Sequence, residues 1–165
     1  MLINLIGIAI SVLKYKFFGI RTPIVASIGV TSKCNLKCEY CYAEVDNLNG
    51  KDWPFEDLKE IIDRLHSLGT RVIMLQGGEP LLHTRIDDII EYVKSKNIYC
   101  SITTNSYTFS KHIDAIKKLD QVQLSVDGDQ EIMDSYRGQG AYEQVVLAAK
   151  MCDENNIPFH LHSVV

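Results

Sequence analysis

From Pro23 onward, short apolar runs alternate with longer amphipathic stretches, and that rhythm leaves few architectures open. Residues 24–30 read as a buried strand, and further strands are expected over 71–75, 98–103, 121–126 and 158–165. Between them, apolar residues recur at three- and four-residue spacing, which is the mark of a helix with one buried face. Leu58, Ile61, Ile62 and Leu65 follow Trp53-Pro54-Phe55 and stop at Gly69. Ile86, Ile89, Ile90 and Val93 form a second set, Ile113, Ile116 and Leu119 a third, and Tyr142, Val145, Val146 and Ala149 a fourth. Strands separated by helices imply parallel pairing through right-handed crossovers. A βαβ unit takes about 30 residues, so the chain after its N-terminal segment holds four to five strands. The expected fold is α/β, a partial parallel (β/α) barrel of about five strands. It would occupy residues 23–165, preceded by an N-terminal hydrophobic helix over 1–22. In such sheets the chemistry gathers at the C-terminal ends of the strands.

The N-terminal helix raises a separate question. Met1 to Leu13 carry no charged side chain, and Lys14, Lys16 and Arg21 follow. A secretory signal would carry its basic residues before the apolar run, and a membrane span needs roughly 20 apolar residues. Asn4, Gly7, Ser11 and Lys14 fall on one narrow polar stripe, and the rest of the circumference is apolar. Two readings stay open: the apolar face packs on the body, or the helix lies on a membrane with its basic residues at anionic headgroups. A cytoplasmic protein is expected, with the cytoplasmic membrane face as the place of any such contact.

Charge and cysteine content narrow the function classes. Seventeen Lys and Arg against 21 Asp and Glu leave a formal charge of −4, so no broad basic field marks a nucleic-acid binder. Five cysteines are an odd number and unevenly spread, which disfavours a disulfide framework. Cys100 and Cys152 stand alone on an expected strand and helix and read as buried small hydrophobes. Cys34, Cys38 and Cys41 share one loop after the first strand. Thiolates bind soft metals and iron–sulfur clusters, and three ligands would leave a four-iron cluster with one open iron. A zinc-binding interaction module using these cysteines and a histidine is the rival from another class.

Three more segments fall at expected strand ends. Gly77-Gly78-Glu79-Pro80 follows the second strand, Thr103-Thr104-Asn105-Ser106 the third, and Ser125-Val126-Asp127-Gly128 the fourth. Asp134-Ser135-Tyr136-Arg137-Gly138 comes next. Taken singly, each also reads as a loop: a Gly-rich turn opening a helix, an Asp-Gly turn, a surface arginine. His160 and His162 alternate on the last strand, facing a cavity or serving structure, and His66 and His83 read as surface residues of their helices.

Together, the C-x3-C-x2-C spacing with Tyr40 before the last cysteine and the motifs after it resemble the radical S-adenosylmethionine superfamily. The Asp-x-x-Arg-Gly stretch is closest to its molybdenum-cofactor-synthase and SPASM-like branch. Only the N-terminal part of that family's core is matched, and Ser106 stands where the family commonly has Gly. The resemblance implies a [4Fe-4S] cluster held by Cys34, Cys38 and Cys41 and a bound S-adenosyl-L-methionine. It further implies that Gly77, Gly78 and Glu79 receive the methionyl ammonium and Arg137 the methionyl carboxylate. Ser125 and Asp127 would meet the ribose hydroxyls, Tyr40 would lie near the adenine, and Asn105 would line the pocket. The activity implied is reductive cleavage to a 5′-deoxyadenosyl radical that abstracts hydrogen from a substrate, with a flavodoxin or ferredoxin as electron donor. A non-catalytic cluster-binding fragment or partner subunit is the remaining alternative. No motif names the substrate.

Overall fold

A computed structural model describes residues 2–41 and 49–163, with side chains from residue 6 onward. Five strands, β1 (Val25–Thr31), β2 (Val72–Gly77), β3 (Tyr99–Thr104), β4 (Gln121–Ser125) and β5 (Phe159–His162), form one parallel sheet in the order of the sequence. The helices are α1 (Leu2–Phe18), α2 (Phe55–Leu68), α3 (Ile86–Ser95), α4 (Ile113–Ile116), α5 (Gln130–Arg137) and α6 (Ala141–Glu154). This is the expected α/β architecture, a parallel sheet without a closed barrel. The last strand stops at His162, and Val164 and Val165 of its expected span lie outside the described residues.

Alternation along the strands explains how the sheet is covered. Ile28 and Val30, Ile73 and Leu75, Cys100 and Ile102, and Val122 and Leu124 point to one face and are buried with Leu58, Ile62, Ile90, Val145 and Ala148 of the helices. Each fully buried aliphatic side chain contributes about 1.5–3 kcal/mol, so this layer dominates the core. On the other face stand Gln76, Thr103, Gln123 and Ser125, at the alternate positions of the period-two pattern on each strand. The sheet is therefore apolar toward its helices and polar toward its inner side. Cys100 and Cys152 are fully buried in the apolar layer, as expected, and burial pushes their thiols up to about 12 and about 11.

Local signals set several boundaries. Gly69 ends α2 in the left-handed conformation, φ 97°, donating its N–H to His66 and Leu65 carbonyls. Asp129 caps α5 by accepting from the Ile132 N–H. No separate helix was expected at α5; its Met133 is the one buried apolar residue in eight. Three expectations change. The first strand is not buried throughout: β2 is its one neighbouring strand in the sheet, and Val25 is 56% exposed. The helix expected through Leu119 is a 3-10 turn at Phe109–His112 followed by a single turn of α4. His83 is not on the surface but buried, its Nε2 3.0 Å from the Trp53 carbonyl and its Nδ1 accepting from the Arg85 N–H. His66 is exposed, as expected.

Candidate functional site

The loop after β1 is tied down before it reaches its cysteines. Thr31 donates to Asp52 at 2.7 Å, and Lys33 forms an ion pair with the same carboxylate at 2.8 Å. Thr84 adds two donors at 3.1 Å, from N–H and hydroxyl. Burial would raise the Asp52 carboxyl, but these donors outweigh it and hold the group well below the usual carboxylate range. The Gly-Gly-Glu segment closes the other side. Gly78 N–H donates to the Thr31 carbonyl at 2.9 Å and Glu79 N–H to the Lys33 carbonyl at 2.7 Å.

Gly77 is needed for close approach rather than for flexibility. A Cβ there would lie 2.5 Å from the Thr31 carbonyl oxygen and 3.2 Å from its nitrogen, where the β1–β2 register shifts. Gly77→Ala is expected to destabilise the protein by about 1–3 kcal/mol, through backbone displacement. Gly29→Ala, with nothing within 4 Å of the added carbon, should stay within about 0.5 kcal/mol. Urea denaturation of both variants checks the contrast; equal midpoints would rule out the steric account.

Cys34, Cys38 and Cys41 line a cavity of about 260 Å³ at the C-terminal ends of the strands. Gly77, Gly78 and Glu79 form a second wall, and Asn105, Ser125 and Arg137 a third. Tyr40 and, from the last strand, His162 complete it, with Gln76, Thr103 and Thr104 from the inner strand ends. Cys34 is buried and accepts the Leu36 N–H at 3.4 Å, while Cys41 N–H turns back onto the Cys38 carbonyl at 3.1 Å. Burial pushes the Cys34 and Cys38 thiols up. Glu79, Cys38 and Cys41 add to this at Cys34; at Cys38 Arg137 opposes it, while Cys41 and Asp127 add to it. Loading a metal centre here must therefore displace protons.

Glu79 is 1% exposed, and its carboxylate accepts three internal hydrogen bonds. They come from the Asn105 N–H at 2.7 Å, the Thr104 hydroxyl at 2.7 Å and the Leu81 N–H at 3.1 Å. It locks the ends of β2 and β3 together. Asn105 extends the lock into the cysteine loop, donating from Nδ2 to Asn35 Oδ1 at 2.9 Å and accepting the Tyr107 N–H. Asn35 and Thr104 were not singled out in the sequence; short polar residues inside or beside a motif carry no signal of a partner 25 or 70 positions away.

Asp127 gathers two residues of the wall. It forms an ion pair with the Arg137 Nε, side chains 9% and 4% exposed, and accepts the Tyr40 hydroxyl. The Arg137 guanidinium also lies over the Tyr40 ring, 5.6 Å from its centre. Burial and the Asp127 bond together push the Tyr40 phenol well above its usual range. Tyr40 and Arg137, expected at opposite ends of one ligand, are thus joined through Asp127. His162 reaches the cavity, and His160 pairs in register with Gln123 on the inner face.

Among the described residues, no three His, Cys, Asp or Glu side chains converge closely enough to hold a single metal ion. A cluster several ångströms across needs its thiolates around a cavity instead, and three thiols lining one wall fit it.

The model of the Radical SAM superfamily matches residues 28–165, and the chain belongs to that superfamily. Its relatives include Fe-coproporphyrin III synthase of Methanosarcina barkeri, 32% identical over 88% of this chain and 37% of that protein. A probable GTP 3′,8-cyclase of Methanococcus maripaludis is 38% identical over 61% of this chain and 35% of its own length. The chain thus spans little more than a third of these two relatives. Among solved structures, native anSMEcpe with bound AdoMet and Kp18Cys peptide superposes with a TM-score of 0.71 at 27% identity, over 86% of this chain and 43% of that one.

Proposed function

We propose that the chain provides the cofactor-binding part of a radical S-adenosylmethionine enzyme. The observation that carries this is the meeting of Cys34, Cys38, Cys41, Gly77, Gly78 and Arg137 on one cavity. Cys34, Cys38 and Cys41 would hold a [4Fe-4S] cluster and leave one iron to S-adenosylmethionine. When bound, the cluster supplies one electron to the sulfonium, whose cleavage yields methionine and the 5′-deoxyadenosyl radical that takes hydrogen from a substrate. The protein's share is binding, orientation and exclusion of water. The backbone of Gly77 and Gly78 would receive the methionyl ammonium, with the buried Glu79 holding that turn in place. Arg137, fixed by Asp127, would offer its planar charged fork to the methionyl carboxylate. Ser125 and Asp127 would meet the ribose, Tyr40 the adenine, and Asn105 the pocket floor. A flavodoxin- or ferredoxin-type donor would supply the electron.

Anaerobic reconstitution followed by dithionite reduction tests the reading. 5′-Deoxyadenosine by mass spectrometry is the expected product; an intact cluster that never yields it would leave a cluster-binding, non-catalytic role. Arg137→Ala removes a charge-assisted contact of about 1.5–3 kcal/mol, so S-adenosylmethionine affinity should fall on the order of tenfold or more. It also strands Asp127, at about 3–5 kcal/mol of stability. Arg137→Lys keeps a cation for Asp127 but not the fork, and should lose affinity with little loss of stability. Wild-type affinity in both variants would remove Arg137 from the ligand site.

A further inference from the structure

Helix α1 meets the body of the protein by its polar edge. Ser11 is buried and donates its hydroxyl to the Gly7 carbonyl at 3.0 Å. Gly7 lies so close to Arg71 that a Cβ on it would stand 2.4 Å from the guanidine nitrogen. Among the described side chains, most of the apolar face is not packed on the body. About a third of the way round the helix from that edge, Ile6, Ile10, Leu13 and Phe17, spaced four, three and four residues apart, form one ridge along the helix. They are 56%, 47%, 51% and 69% exposed. Lys14 and Lys16 fall on the two flanks of that ridge, and both are exposed.

Charge is divided along the chain in the same sense. No Asp or Glu precedes Glu39, whereas Lys14, Lys16, Arg21, Lys33 and Lys37 do. The remainder carries 12 Lys and Arg against 21 Asp and Glu, so a positive N-terminal segment sits on a negative body. An apolar ridge flanked by lysines suits the boundary between acyl chains and anionic headgroups, where the stems bury and the ammonium groups reach phosphate. A second copy of the helix would instead set like charges beside one another. Among the described residues no helix is long and apolar enough to cross a membrane, so the contact would be in-plane.

We propose that α1 is a peripheral anchor that lies in the plane of an anionic phospholipid surface through Ile6, Ile10, Leu13 and Phe17, with Lys14 and Lys16 at the headgroups. Its contact with the body is at Arg71, which precedes β2, on the rim of the sheet away from the cavity. Seating on lipid would thus leave the cavity unobstructed. The inference does not depend on the cofactor reading, because its readout is partition onto vesicles.

The test is co-sedimentation of the chain with phosphatidylcholine vesicles, with and without one-third phosphatidylglycerol. Binding to the anionic vesicles is expected to be at least about tenfold tighter, since each basic residue near the surface adds to the attraction, and to weaken as salt is raised. Leu13→Asp and Phe17→Asp should each abolish it, with helical content and reconstituted iron unchanged because both side chains are exposed. The Lys14→Gln/Lys16→Gln double variant should bind anionic vesicles no better than neutral ones. Absent binding, or equal binding to both vesicle types by the wild type, would overturn the proposal. So would a dimer by light scattering that Leu13→Asp dissociates in the absence of vesicle binding.

Discussion

Cys34→Ala, Cys38→Ala and Cys41→Ala are each expected to lose most of the iron and sulfide that the wild type takes up on anaerobic reconstitution. The three thiols line one cavity, and no fourth cysteine is among the described residues that line it. Cys100 makes the comparison sharp. It is fully buried between strand and helix, and burial pushes its thiol up to about 12, so it stays a protonated apolar group. Cys100→Ala should keep its iron and lose about 1 kcal/mol of stability, as for a small cavity in a core. Iron content and stability would then respond to different cysteines. Equal iron in all four variants would refute the assignment of the cluster.

A loss of stability as large as that of Arg137→Ala is expected at Glu79. Glu79→Ala leaves the Asn105 and Leu81 N–H groups and the Thr104 hydroxyl without their acceptor in a buried place. Each stranded donor costs about 1–3 kcal/mol, and with partial rehydration the total should reach about 3–5 kcal/mol, a large part of a small domain's stability. Because the lock joins β2, β3 and, through Asn105 to Asn35, the cysteine loop, iron uptake should fall too. Glu79→Gln keeps an acceptor and should cost less, and it removes a titration. Burial pushes the Glu79 carboxyl up to about 7 against the pull of its hydrogen-bond donors. The folded state thus holds its proton more tightly than the unfolded chain. That contribution is complete below about pH 4.5 and is lost as pH rises through about 7. Between pH 6 and 8 the metal-free wild type should lose about 1 kcal/mol more than Glu79→Gln. Parallel pH profiles in chemical denaturation would show that the carboxyl does not titrate there.

What the chain states locally proved readable. Periodicity two and periodicity three-to-four placed all five strands and the helices α2, α3 and α6, because burial of one face requires that spacing wherever the element sits. The motifs fell at strand ends for a topological reason: parallel strands joined by helices present all their C-terminal loops on one rim. Cys34, Cys38, Cys41, Gly77, Gly78 and Ser125 reach a common cavity by that rule alone. The tertiary structure decided which polar groups spend themselves on each other. Glu79 serves Asn105, Thr104 and Leu81, Asp127 holds Arg137 and Tyr40, and Asn35 pairs with Asn105. A hydrogen bond is satisfied by whatever donor the fold brings within about 3 Å, and no spacing along the chain encodes that partner. The same holds for α1. Its wide apolar face made burial against the body the simpler expectation, yet the Arg71 side chain lies against Gly7, where a Cβ would collide with it, so the polar edge docks and the apolar ridge is exposed.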